Sequence, residues 1–326
     1  MKRICVYGAG GVGGYMAARL ARAGRDVTVI ARGSHLDRIR SAGLTIRTQD
    51  NEFTVRIPAS DTIADFQPFD VIIITAKGPS LPAIAETLAP YLGSATSVLF
   101  ATNGVQWFYG DQFVPDGLTI DTSRLDVDGR LHRLIGAERS FGTVVRSSNV
   151  VVEPGVVFNS GGGAYIVGEA VSREENRLNA LISLLTVDGA LFTGTTDIRR
   201  DMWKKLVRNT AVALLCGLTH SSPGIAFSDP GTAPLALAAM GEVASVAASH
   251  GFTDLIDLNA EVEIVSKMTA MKPSIVQDLE LGRMVELDAQ VLIVLDFARQ
   301  AGVPVPVLSI LAPVLLQKAR MARCYD

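Results

Sequence analysis

The stretch Arg3–Tyr15, RICVYGAGGVGGY, decides the fold. Ile4-Cys5-Val6-Tyr7 is a short apolar run that reads as a buried β-strand, and it stops at Gly8-Ala9-Gly10-Gly11-Val12-Gly13. Helical spacing follows through Tyr15, Met16, Leu20 and Ala21. G-x-G-x-x-G between a strand and a helix is the fingerprint of a dinucleotide-binding turn. Gly8 permits the tight turn, Gly10 lets the backbone approach a pyrophosphate, and Gly13 lets helix and strand pack closely. The pyrophosphate is expected against the unpaired N–H groups of the helix N-terminus, where the helix dipole favours an anion. The competing reading of the same letters is an ordinary glycine turn.

Working outward, Asp26–Ile30 (DVTVI) is a second strand, entered after Gly24, which stops the first helix. The end of this strand decides between cofactors: a carboxylate grips the ribose hydroxyl of NAD, and an arginine accommodates the 2′-phosphate of NADP. Here the chain reads Val29-Ile30-Ala31-Arg32-Gly33-Ser34, with no acid before Asp37. Arg32 therefore points to NADP(H), unless it is a solvated loop charge. Leu44–Thr48 and Phe53–Ile57 alternate around Gln49-Asp50-Asn51 as a hairpin. Phe69–Thr75 (FDVIIIT) and Ser97–Ala101 (SVLFA) are strongly apolar strands suited to the middle of a parallel sheet. They end in Ala76-Lys77-Gly78 and Thr102-Asn103-Gly104. Ligands of open α/β sheets bind outside the carboxyl ends of the strands, which makes Lys77 and Asn103 site candidates. A surface charge and a simple turn are the plainer alternatives.

Phe141–Arg146, Val150–Phe158 and Ala164–Gly168 read as three strands extending the sheet antiparallel, with Ser160-Gly161-Gly162-Gly163 as a turn. A helix over Glu174–Val187 and a strand over Ala190–Thr193 close this half. From Asp197 only helical periodicities remain, at about 199–217, 230–251, 257–283, 284–301 and 305–322, punctuated by Gly251, Gly282, Gly302 and Pro304. The expected fold class is α/β: a Rossmann-type domain over 1–196 and an all-helical domain over 197–326. Between 105 and 140 the pattern is weak; Trp107, Phe108 and Tyr109 read as exposed aromatics of a cleft or an interface, and His132 has no assigned role.

Bulk properties fit this division. The chain has 326 residues, enough for two domains of about 150 residues each. It is 48% hydrophobic and 19% charged, with a net charge of −3 and no basic block, which argues against a nucleic-acid partner. Cys5, Cys216 and Cys324 are too widely spaced for a disulfide framework or a metal site, as expected of a cytoplasmic chain. A strand is read within a few residues of Met1, so no signal peptide is expected. The uncharged stretches near 210–228 and 301–316 are broken by polar residues or prolines, so buried helices are expected rather than membrane spans.

In the helical half, Lys205 and Asn209 lie four residues apart and share one helix face, leading toward the apolar Val212 and Ala213. A partly buried lysine loses charge more readily, because desolvation disfavours the ammonium, and so becomes competent to deliver a proton near neutral pH. The alternative is that Lys205 joins Arg199, Arg200, Lys204 and Arg208 on a solvated face. Ser274 and Glu286 bracket the second candidate stretch. Glu286 enters an otherwise apolar helix and is either a functional acid or a charge complementing that helix's dipole.

With these residues in view, the chain resembles the ketopantoate reductase (2-dehydropantoate 2-reductase) family over essentially its full length. The resemblance is carried by Gly8–Gly13, Ala76-Lys77, Asn103-Gly104, Trp203-Lys204-Lys205-Leu206 with Asn209, and Ser274, Gln277-Asp278, Glu286 and Asp288. It implies that NADPH reduces a small-molecule 2-oxo acid, with ketopantoate to pantoate, a step of pantothenate biosynthesis, as the expected reaction. Lys205 matches the family's general acid, Asn103 the asparagine near nicotinamide and substrate, Asn209 and Ser274 substrate-binding positions, and Lys77, Ser148 and Glu286 positions near the cofactor. Two positions depart: Ala213 and Pro223 stand where family asparagines are expected. A pocket that loses such partners loses discrimination for a substrate hydroxyl, so reduction of another 2-oxo or β-keto acid is the enzymatic alternative. A non-enzymatic NADP(H)-binding regulator is the other, against which Lys205 argues, since a sensor needs no general acid. A homodimer stays open.

Overall fold

The computed structural model describes residues 2–66, 68–113, 117–171 and 175–326. The expected helix start at Glu174 lies outside the described residues. The chain forms two compact units, Met1–Thr102 with Asp128–Ile198, and Asn103–Val127 with Arg199–Asp326.

The first unit begins β1 (Arg3–Tyr7), α1 (Gly11–Arg22), β2 (Asp26–Ile30), α2 (Gly33–Ala42), β3 (Leu44–Arg47), β4 (Glu52–Val55) and β5 (Ala59–Ser60). It continues through β6 (Val71–Ile74), α3 (Leu81–Leu88), β7 (Ser97–Phe100), α4 (Arg130–Leu134), β8 (Ser140–Glu153), β9 (Val156–Glu169), α5 (Glu175–Leu185) and β10 (Leu191–Gly194). The sheet runs β4-β3-β9-β8-β7-β6-β1-β2-β5, with β10 on β9. The stretch β5-β2-β1-β6-β7-β8 is parallel throughout. It reproduces the doubly wound order whose crevice at the β1/β6 reversal takes a ligand. β6 and β7 are buried on both faces, which is why they read as unbroken apolar runs rather than alternating ones.

After α2 the chain crosses to the far side of the sheet, where β3 pairs with β9 instead of β2. The sheet therefore curls into a half-barrel, with α1 packed against β1, β2, β3, β4, β8 and β9. Gly13, Gly14, Tyr15, Met16, Ala17, Ala18 and Leu20 of α1 are all buried. Such burial on nearly every side suits a helix lying in a hollow rather than on a flat face.

Two expectations for this unit need correction. The three strands expected between Phe141 and Gly168 are two, β8 and β9, each of 14 residues and antiparallel to one another. The turn joins them at Gly155, and β8 is itself parallel to β7. Gly161, Gly162 and Gly163, read as a turn, lie inside β9 opposite register shifts at Arg146/Ser147 and Ser148/Asn149. Glycines at left-handed φ absorb an extra residue in a ladder as readily as they make a turn, so composition alone did not separate the two.

The second unit is built of α6 (Ile198–Thr219, whose first residue closes the first unit), α7 (Pro223–Ser228), α8 (Ala233–Ser249), α9 (Leu258–Ser266), α10 (Ser274–Glu280), α11 (Ile293–Ala301) and α12 (Pro306–Met321). The single helix expected over 257–283 is two: α9 stops at Ser266, and α10 restarts after Pro273, which stands at its N-cap in an extended conformation. Pro223 occupies the first position of α7, where its missing N–H costs nothing. Asn103–Val127 belong to this unit: Val105 N–H donates to the Ala289 carbonyl and Arg124 pairs with Asp288 and Asp296. Trp107, Phe108 and Tyr109, expected to be exposed, are fully buried here.

Candidate active site

In the first unit the glycine turn leaves β1 with its peptide groups fixed. Gly8 N–H donates to the Ile30 carbonyl at 2.9 Å, and the Thr75 hydroxyl at the end of β6 donates to the Gly8 carbonyl. A Cβ on Gly13 would stand 2.0 Å from the Gly8 oxygen, so no other residue fits there. Around Gly10 the situation is opposite: nothing lies within 4 Å of where its Cβ would be. Gly10 caps α1 without any side-chain bond, and the first turn carries no acid. The place around Gly10, at the uncapped N-terminus of α1, is thus open, which is what a pyrophosphate requires. A dinucleotide fits this cradle.

The other cofactor candidates lie around it. Arg32 caps α2 from an exposed, extended position at the end of β2. Lys77 is half-buried two residues beyond Thr75 and opens a short 3₁₀ turn, Gly78–Ser80. Ser148 sits on β8 and accepts from the Ser160 hydroxyl at 2.8 Å. Its neighbour Asn149 abuts the start of α1: a Cβ on Gly11 would meet the Asn149 carbonyl at 2.5 Å. Sequence reasoning missed Thr75, whose place as the last residue of an apolar strand beside the turn was the available signal.

In the second unit, three residues far apart in sequence meet. Lys205 on α6 donates from Nζ to Asn103 Oδ1 at 2.7 Å, and Asn103 Nδ2 donates to Glu286 Oε2 at 3.3 Å. The ammonium can only donate and the carboxylate only accept, so the two contacts together set which way the Asn103 amide faces. Gly104 makes the approach possible. Its φ of +87° turns the chain, and a Cβ there would collide with the Ala289 carbonyl at 2.2 Å. Just after Glu286, the π-helical turn Asp288–Leu292 frees carbonyls. Ala289 accepts from Val105 N–H, and Gln290 accepts from the Thr210 hydroxyl at 2.7 Å. An amide, an ammonium and a carboxylate are thus held in line, with all three residues half-buried.

Asn209 follows Lys205 by one turn of α6 and is half-buried, and its amide makes no hydrogen bond among the described residues. Ser274 is exposed at the start of α10. No direct hydrogen bond among those described joins Asn209 or Ser274 to Lys205. Helix α10 nevertheless packs on α6, since a Cβ on Gly217 would meet Ile275 Cγ1 at 3.2 Å.

Behind the pair lies a buried network that the sequence did not disclose. Trp203 Nε1 donates to the Tyr109 hydroxyl at 2.7 Å, and that oxygen lies 2.8 Å from His250 Nδ1. Arg199 holds the same loop by donating to the Tyr109 carbonyl at 2.7 Å. Burial pushes the His250 imidazole down to about 4, so it is neutral at pH 7 and able to accept a hydrogen bond from the Tyr109 hydroxyl. The network ties the segment carrying Asn103 to the helix carrying Lys205.

Among the described residues no cluster of His, Cys, Asp and Glu could hold a metal, and no helix is long and apolar enough to cross a membrane. The family model described as Ketopantoate reductase PanE/ApbA matches residues 4–172, and its C-terminal counterpart matches residues 197–319. A 2-dehydropantoate 2-reductase of Mesorhizobium japonicum is 31% identical, over 99% of this chain and 100% of the relative. The crystal structure of 2-dehydropantoate 2-reductase from Geobacter metallireducens superposes with a TM-score of 0.84 at 27% identity, covering 97% of this chain and 99% of that one. A D-mandelate dehydrogenase solved with NADH and anilino(oxo)acetate shares the fold, with a TM-score of 0.83 at 18% identity over 98% of this chain and 99% of that one.

Proposed function

The chain belongs to the ketopantoate reductase family, an oxidoreductase acting on a CH–OH group, and on that premise we propose that it reduces 2-dehydropantoate to pantoate with NADPH. The observation that carries the reading is the Lys205–Asn103–Glu286 line. Bound NADPH supplies the hydride to the C2 carbonyl carbon. Everything else falls to the chain. Lys205 holds a proton at Nζ and delivers it to the oxygen that becomes an alkoxide, the general-acid role. Asn103 aims Nζ, and Glu286 keeps the Asn103 amide from turning over. The unengaged amide of Asn209 and the hydroxyl of Ser274 are the groups that hold the substrate's carboxylate and hydroxyl. Gly8, Ala9, Gly10, Gly11, Val12 and Gly13 receive the pyrophosphate; Arg32 pairs with the 2′-phosphate; and Lys77 and Ser148 complete the cofactor's surroundings.

One observation favours a second reading, a bulkier and more apolar 2-oxo acid. The half-buried strip of α6 runs Lys205, Asn209, Val212, while Ala213 is buried. Beyond Asn209 this strip offers a methyl surface and no amide, so a substrate hydroxyl there finds no partner from α6. Following NADPH oxidation over a panel of 2-oxo acids tests both. A kcat/KM for ketopantoate well above that of every bulkier acid supports the first reading. A preference for branched or aromatic 2-oxo acids supports the second, and background rates throughout would remove both.

A further inference from the structure

His35, three residues beyond Arg32 in the first turn of α2, uses both of its ring nitrogens on the backbone around the glycine turn. Nε2 lies 2.7 Å from the Ala9 carbonyl oxygen, and Nδ1 lies 3.0 Å from the backbone nitrogen of Gly155 in the β8–β9 turn. The Gly155 N–H can only donate and the Ala9 carbonyl can only accept. These partners fix the tautomer: Nδ1 carries the lone pair and Nε2 the proton. Burial holds the imidazole below its ordinary value, so this neutral form persists at pH 7. Ala9 and Gly155 are themselves buried.

We infer that His35 is a positioning residue for the dinucleotide, locking the peptide that joins Ala9 to Gly10 so that the Gly10 N–H faces the pyrophosphate. The reasoning is geometric. A trans peptide is planar, and its carbonyl and N–H point in opposite directions. Drawing the Ala9 oxygen onto Nε2 therefore turns the Gly10 N–H the other way, away from His35, at a residue that is exposed and has open space beside its Cα. The preceding carbonyl is held in the same fashion by Thr75. With both carbonyls tied back, neither can rotate toward the phosphates and oppose their charge. The Gly155 contact anchors the imidazole in turn to the hairpin whose Asn149 backbone already abuts Gly11. Carbonyl, imidazole and hairpin form a single brace across the base of the cradle, and this brace serves NADPH and NADH alike.

The inference rests on the dinucleotide-binding reading and is tested with His35→Ala and His35→Gln in the full chain, by calorimetric titration with NADPH, NADH and adenosine 2′-monophosphate. The nucleoside monophosphate lacks the pyrophosphate and so reports the Arg32 side alone. His35→Ala is expected to weaken the tighter-binding dinucleotide at least tenfold, with adenosine 2′-monophosphate binding as in the wild type and kcat at saturating cofactor nearly kept. His35→Gln, which offers one acceptor and one donor from a single amide, is expected to recover most of the affinity. Unchanged dinucleotide affinity in His35→Ala overturns the inference. So does an equal loss for the dinucleotide and the monophosphate, or failure of His35→Gln to recover, since either marks general damage to the fold. A wild-type chain that binds neither dinucleotide overturns the cofactor reading, and the brace with it.

Discussion

Lys205 Nζ and Asn103 Oδ1 stand 2.7 Å apart although 102 residues separate them in the chain. Two features hold that distance. The Gly104 turn docks against Ala289, and the Trp203–Tyr109–His250 network ties the loop after Asn103 to α6. The pair is therefore set by the fold of the second unit before any ligand arrives, which is the preorganisation a proton donor needs.

Lys205→Ala removes the proton and leaves the cofactor cradle untouched. Turnover is expected to fall by about 10²–10⁴-fold, the range for losing a general acid, with a much smaller loss of NADPH affinity. Lys205→Arg is not expected to restore it, because a guanidinium does not surrender its proton. Steady-state rates beside a direct NADPH titration decide the matter; wild-type turnover in Lys205→Ala would remove the assignment.

Gly10 and Gly13 predict opposite behaviours within one turn. Gly13→Ala forces a methyl onto the Gly8 carbonyl and is expected to destabilise the chain by about 1–3 kcal/mol or more, read as a lower Tm. Gly10 has φ −67° and empty space around its missing Cβ, so Gly10→Ala keeps the wild-type Tm. Its methyl instead occupies the place of the pyrophosphate, and NADPH binding is expected to weaken by about tenfold or more, roughly 1.4 kcal/mol. A Gly10→Ala variant with normal NADPH affinity would show that the pyrophosphate lies elsewhere.

Much of this was legible in the sequence, for definite reasons. The glycine turn is local, so Gly8–Gly13 and the strand and helix around it could be read from thirteen residues. Lys77 and Asn103 could be singled out as candidates because apolar strands announce their own ends. The contacts that assemble the site are not local. Nothing near Tyr109 signals a bond to His250, 141 residues away, and an aromatic triplet in a glycine-rich stretch looks exposed until its partners are in place. Ser160–Gly163 misled because glycine marks bulges and turns with the same letter. The family resemblance implied a general-acid role for Lys205 and a place near the cofactor for Glu286, which pattern alone left open; the fold aligns the two through Asn103.

On the proposed NADPH reading, Arg32 is the residue expected to set the choice between cofactors. It is exposed at the end of β2, with no acid before Asp37 to greet a ribose hydroxyl. Arg32→Ala should weaken NADPH by about 1.5–3 kcal/mol, the worth of a charge-assisted hydrogen bond, and leave NADH almost unaffected. Parallel titrations with the two cofactors measure this. An NADH affinity already tighter than NADPH in the wild-type chain would contradict the assignment.

His250 makes the stability of the helical unit depend on pH. In the folded chain its imidazole titrates at about 4, against 6.5 for an unburied histidine. Between those values the unfolded chain takes up a proton that the folded chain refuses. The stabilisation is therefore complete above pH 6.5 and is lost as the pH falls toward 4, amounting to about 3 kcal/mol across the window. Protonation also removes the acceptor for the Tyr109 hydroxyl, so acid loosens the tie between the Asn103 loop and α6. Urea unfolding of the wild type and of His250→Phe at pH 7, 6, 5 and 4 tests the point. The wild type should lose stability more steeply with acid than the variant, with the difference concentrated below pH 6.5. Curves that run parallel over the whole range would show that His250 is not the group responsible.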